Sequence, residues 1–288
     1  MSLGIIEELK ELVKGITNKN TELTYTNSYY RLLKSGLFSK SINETDQDEI
    51  IHAINSIETT AHTKYGLLML SIKLKDLVGA DKSRLIKFQQ TLNVERQVQD
   101  KNKKPVIQDK CNDVSLEELH KFLENLYTSK LYVKYIVNYL FINFAVRNQD
   151  VNVLVIRNKK SIKPNDNYLL VSKTKVEYIR KKYKTHSVYG DKTYTITDKK
   201  FIRAINELNR EEEQALLITR TGERLSSQSQ NRVIQDMTYN KLGEGNLYKC
   251  LVNIYKYDNE MLIRLSNSRG SSIIQQNGTY SMEDMTEI

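Results

Sequence analysis

A phenol, two kinds of cation and an acid occur in this sequence at separations that could assemble one reaction centre. Tyr280 closes the polar, turn-rich stretch SNSRGSSIIQQNGTYSM, where a hydroxyl is either surface filler or a nucleophile. Arg147 and Asp150 stand three residues apart in AVRNQD, at the end of a long apolar stretch. A charge in that place needs a partner, because unpaired burial is costly. Lys184 ends the basic run EYIRKKYK, and Lys249 follows Asn246 by three residues in GEGNLYKCLVN. A phenol titrates near ~10 and becomes a useful nucleophile only where cations or a base favour its anion. A guanidinium forks onto two oxygens at once, and an amine can protonate a leaving oxygen. Each residue has a plainer reading as well. Arg147 and Asp150 would close a helix as a surface pair, and Lys184 would be a solvated hairpin lysine. Lys249 would snorkel beside an apolar face of Leu247, Cys250, Leu251 and Ile254.

These residues need elements to hold them. The first hundred residues carry apolar positions at helical spacing, over Leu3–Val13, Asp46–Val78 and Ala80–Val98. The polar stretch QDKNKKPVIQDKCND contains Pro105 and is the expected linker. Ser115 with Glu118 then marks a helix start by the capping-box pattern, and SKLYVKYIVNYLFINFAVRNQDV reads as a buried helix. The period next changes to short β-branched and aromatic runs, VNVLVI, NYLLVSK, KVEYIRKKYK and KTYTITD, which predict a small antiparallel sheet. Helical patterns return from Lys199 onward. The expected fold is mainly α with a small antiparallel sheet, of α+β class. Its expected divisions are a helical domain over 1–104, a linker over 105–114 and a second domain over 115–288.

Composition narrows the chemistry. Net charge is +9, and the segment from Arg157 to Arg203 alone holds 14 Lys/Arg against four Asp/Glu. Within it, YIRKKYKTHSVYGDK interleaves cations with tyrosines, as surfaces that bind a phosphate backbone do; a solvated lysine-rich strand face is the plainer alternative. No apolar run has the length of a membrane helix, and the opening MSLGIIEELKELVKG predicts no secretory signal. The four histidines have no metal-ligand spacing, and no phosphate-binding loop of the nucleotide hydrolases is present. Cys111 and Cys250 lie far apart and imply no disulfide framework, an expectation that fits an intracellular, reducing compartment.

Taken in order, these motifs resemble the catalytic domain of the tyrosine recombinases, the phage-integrase-like family. In that family a helix ending in glycine-leucine-arginine, with an acid three residues on, supplies the first catalytic arginine, and AVRNQD is similar to it at Arg147 and Asp150. A β-hairpin lysine matches Lys184. The stretch LITRTGERLSSQSQNRVIQ is similar to the family's linking segment. The H-x-x-R helix corresponds to Asn246-Leu247-Tyr248-Lys249. The closing turn and tyrosine correspond to Arg269-Gly270-Ser271-Ser272-Ile273 and Tyr280. Arg147 and Lys249 are 102 residues apart, and Lys249 and Tyr280 are 31 apart. The likeness covers residues 115 to 282. Lys249 replaces an arginine, while Asn246 and Ser271 stand where the family has proton-shuttling residues. Divergent members in large DNA viruses of eukaryotes look similar.

The resemblance implies breakage and rejoining of double-stranded DNA, in recombination or integration, through a 3′-phosphotyrosyl bond to Tyr280. It implies no metal and no other cofactor. Arg147 and Lys249 would hold the phosphate, Lys184 would protonate the 5′-oxygen, and Asn246 and Ser271 would donate hydrogen bonds. Arg180, Lys181, Lys182 and Lys192 would contact the duplex. Residues 1–104 would clasp its opposite face, with Lys82, Arg84 and Lys87 toward DNA. It further implies a dimer or tetramer on DNA, no membrane association and, for a viral protein, location in the host nucleus or a viral factory. The alternatives are a DNA-binding clamp with decayed chemistry and a type IB topoisomerase.

Overall fold

The computed structural model describes residues 3–16, 19–35, 40–112 and 114–271, and Tyr280 lies outside them. The chain divides into two compact units, Met1–Pro105 and Val106–Ile288.

In the first unit, α1 (Leu3–Val13), α2 (Lys19–Lys34), α3 (Gln47–Ser56) and α4 (Ala61–Leu77) are followed by α5 (Ser83–Asn112), whose residues after Pro105 belong to the second unit. Asp46 and Thr60 cap α3 and α4 by accepting from backbone N–H groups of their first turns. Their apolar faces, with Leu85 and Leu92 of α5, enclose a core around Tyr29, Leu32, Ile50, Ile54, Leu67, Leu68 and Leu74. The expected linker differs from what forms. Helix α5 continues through Pro105 to Asn112, so most of 105–114 is helical.

In the second unit, α6 (Leu116–Thr128) opens at the expected capping box: Ser115 accepts from the Glu118 backbone, and the Glu118 carboxylate accepts from the Ser115 backbone. The expected buried helix is α7 (Tyr132–Phe144), which ends one residue before Ala145 adopts a left-handed conformation. There follow β1 (Leu154–Ile156), β2 (Asn167–Val171), β3 (Val176–Arg180), the short α8 (His186–Tyr189), β4 (Lys192–Ile196), α9 (Lys199–Glu207) and β5 (Gln214–Ala215). Helices α10 (Ser227–Met237), α11 (Gly243–Ile254) and α12 (Asn259–Arg269) complete the described chain. The sheet order is β4-β3-β2-β1-β5. It is mixed rather than wholly antiparallel, because β1 and β2 pair in parallel, their connection crossing over by way of residues 157–166. The fold is thus mainly α with a small mixed sheet. Apolar residues of α7, α9 and α11 pack with the strands into one core.

Two further expectations shift. Strand β3 ends at Arg180, so Lys184 falls in the turn after it rather than at the strand end. The cysteines also come together: Cys111, on the last turn of α5, and Cys250, on α11, form a disulfide with Cα atoms 5.0 Å apart. Separation along the chain conceals a contact that helix packing makes.

Candidate active site

The site is built where two helix C-termini meet. The last carbonyls of a helix have no intrahelical donor and carry partial negative charge, so two such ends require donors and cations between them. Helix α7 ends at Phe144 and α12 at Arg269. Ser268 Oγ donates to the Phe144 carbonyl at 2.5 Å. The Arg269 guanidinium donates to the carbonyls of Ala145 at 3.1 Å and Val146 at 3.4 Å. Arg147 Nη1 returns the bond, donating to the Arg269 carbonyl at 2.7 Å. Each helix end is therefore satisfied by an arginine from the other.

Acids balance these cations. Asp150 is fully buried; its Oδ2 accepts from the Arg147 backbone N–H at 3.0 Å and from Arg180 Nη2 at 2.5 Å. Arg180 is also fully buried and donates to the Ser268 carbonyl at 2.5 Å. Burial pushes the Asp150 carboxyl up, while the Arg180 guanidinium pulls it down. Glu244 on α11 pairs with Arg269 through Oε1 and accepts from the Asn148 backbone through Oε2. The Arg269 guanidinium lies 4.1 Å from the ring centre of Tyr248.

The sheet register brings in one more cation. Arg180 on β3 faces Lys192 on β4, so both project from the same side of the sheet. The half-buried Lys192 ammonium donates to the Asn267 carbonyl and lies 5.4 and 5.0 Å from the Tyr183 and Tyr189 ring centres. Burial, with Arg180 and Arg147 nearby, pushes it down to about 8. The turn between the strands is tied by Lys181 and His186 to Asp191, and by the Tyr183 hydroxyl to the Gly190 carbonyl. Thr185 Oγ1 donates to the Gly270 carbonyl at 2.8 Å. A Cβ at Gly270 would meet Thr185 Oγ1 at 2.4 Å, and the residue is left-handed, so only glycine fits there without strain.

Of the residues expected to do chemistry, Arg147 and Ser271 are in this cluster. Ser271 is buried, and its carbonyl accepts from Ser266 Oγ. Asn246 and Lys249 lie on α11, the helix that Glu244 ties to Arg269; both are half-buried, and the Asn246 amide donates back to the Leu242 carbonyl at 3.0 Å. Lys184 is exposed in the turn, whereas Lys192 stands beside the buried arginines. Among the residues expected to touch DNA, Arg180 is ruled out by its burial against Asp150. Lys181 is paired with Asp191, and Lys182 is exposed. In the first unit Lys82 pairs with Asp76 and Arg84 with Asp48, and Lys87 is exposed.

Lys192 and Arg180, expected as duplex contacts, belong instead to the centre and its scaffold, and nothing in the sequence marks Glu244 and Arg269 as scaffold. The alternation in EYIR and KTYTI, folded about a hairpin, could have paired Arg180 with Lys192; the long turn between them obscured the register. Compared with known proteins, the chain matches no family model, no curated protein and no solved structure.

Proposed function

We propose that the second unit breaks and rejoins double-stranded DNA through a phosphotyrosyl bond to Tyr280, as a tyrosine-recombinase-like enzyme. The observation that carries this reading is the arginine-stitched meeting of α7 and α12, which holds Arg147 half-exposed on the carbonyl of Arg269, two residues before the described chain reaches Ser271. Eight residues lie between Ser271 and Tyr280. At most they span ~30 Å, enough to bring the phenol back to Arg147. Ala145 adds support: it stands where the resembled motif has glycine, and it adopts the left-handed conformation that glycine favours.

In this reading Arg147 binds the non-bridging phosphate oxygens, where charge builds as the phenolate attacks. Lys249 adds a point charge in place of a second fork, which slows the chemistry. Lys192, rather than Lys184, gives its proton to the departing 5′-oxygen, since an acid titrating near neutrality is best suited to transfer. Exposed lysines of the second unit's basic segment, Lys182 and Lys184 among them, supply the salt-sensitive duplex contacts. The protein acts as a dimer or tetramer on its target.

A second reading, a DNA clamp with decayed chemistry, is favoured by Lys249, whose ammonium is a point charge without the planar fork of a guanidinium. A nicked suicide duplex separates the two. Wild-type protein is expected to form a covalent adduct that survives denaturation and that Tyr280→Phe abolishes. Salt-sensitive binding with no adduct would leave the clamp.

A further inference from the structure

We infer that Arg269 is the positioning residue of this centre, a buried hub that fixes Arg147 and the helix carrying Lys249 relative to each other. The inference rests on the reading of Arg147 as the phosphate-binding cation.

Arg269 is 4% exposed, which excludes its guanidinium from a substrate-binding role. Its contacts reach three elements. The guanidinium holds the carbonyls that follow α7, immediately before Arg147. Through Glu244 and Tyr248 it holds the first turns of α11, which carries Lys249. Its own carbonyl is the acceptor that orients Arg147 Nη1. Glu244 closes the loop, because its second oxygen accepts from the backbone of Asn148, the neighbour of Arg147. A lysine could not reproduce this arrangement, since a single ammonium cannot satisfy two carbonyls and a carboxylate in a plane. The fork sets angles as well as charge.

The test uses the full chain labelled with ¹⁵N-arginine, and reads the guanidinium protons of Arg147, assigned by their loss in Arg147→Lys. In the wild type they should be separate and slowly exchanging. In Arg269→Met, and in Glu244→Gln should the first variant fail to fold, they should collapse to averaged lines. Persistence of the separate lines in a folded variant would overturn the inference. Covalent trapping on the suicide duplex is measured alongside. Both variants should slow adduct formation by ~10², the scale of a misplaced group, with duplex affinity unchanged. In an Arg147→Ala background the same substitutions should add little, because they act through Arg147; an undiminished loss there would contradict positioning. If the wild type forms no adduct while the lines collapse as expected, the functional reading fails and the positioning role stands.

Discussion

The first unit buries a polar knot around Glu8, and the second buries one around Asp150, yet they are put to different uses. In the first, the Tyr29 hydroxyl donates to Glu8 Oε2 at 2.6 Å, and Glu8 Oε1 accepts from the Asn43 backbone at 2.9 Å. Lys75 reaches the carbonyls of Asn43 and Thr45 at 2.6 and 2.7 Å, and burial lowers its pKa. Among the described residues its partners are buried side chains, the carbonyl of Ile5 on α1 and the backbone of one loop, so this knot pins a loop and a helix to the core rather than ending at a half-exposed cation. The knot at Asp150 is built differently. Buried pairs, Asp150 with Arg180 and Glu244 with Arg269, surround two cations that are only half-buried, Arg147 and Lys192. Buried charge that ends inside the protein makes a scaffold. Buried charge that ends at a half-exposed cation makes a candidate site.

Removing one partner from the second knot should have the largest effect. Arg180→Met leaves Asp150 buried and unpaired and is expected to cost about 3–5 kcal/mol in urea unfolding of the second unit. Replacing both, as Arg180→Met with Asp150→Leu, should recover most of that loss. A smaller effect is expected in the first unit. Lys75→Met strands two loop carbonyls and should cost about 1–3 kcal/mol, while DNA cleavage is unchanged. If Lys75→Met abolished cleavage, the contrast between the knots would fail. Smaller still, Ala145→Gly relieves a left-handed alanine and should raise stability by about 0.5–1 kcal/mol in the same unfolding assay.

The pH profile sharpens the comparison further. Lys192 titrates near 8, below the ~10.4 of a free lysine. Its burial cost is therefore fully present below pH 8, where it is charged in both folded and unfolded chains. That cost is relieved as pH rises from about 8 toward ~10.4, so this group adds stability as pH rises. Cleavage should move the other way, falling above about pH 8 as the ammonium is lost. Lys192→Ala should be slow and lack that alkaline limb; an unchanged limb would remove Lys192 from the proton-donor role.

Much of this arrangement was legible in the residues. Helical periodicity located α1, α4, α7 and α11, and Ser115 with Glu118 located the start of α6. AVRNQD singled out Arg147, because a charge closing an apolar helix demands a partner. The true partnership was not legible. Asp150 is bonded to the Arg147 backbone, while its side-chain cation is Arg180, thirty residues on, which read as one more cation of a basic strand. Arg269 read as part of a polar turn, because the carbonyls it satisfies follow a helix that ends more than a hundred residues earlier. The parallel pairing of β1 with β2 and the disulfide were hidden for a related reason. Local periodicity reports faces, and neither crossover topology nor helix contact is a local property.

The most direct test of Arg147 as the phosphate-binding cation compares Arg147→Ala with wild type in a single experiment, measuring covalent adduct formation on the nicked duplex and thermal unfolding of the same samples. Adduct formation is expected to fall by ~10²–10³, the loss typical of one donor to a developing oxyanion. The unfolding midpoint is expected to stay close to that of the wild type, because the Asp150–Arg180 and Glu244–Arg269 pairs remain. Unchanged adduct formation, or a loss explained by collapse of the fold, would contradict the claim that the buried knot exists to present Arg147 to a phosphate.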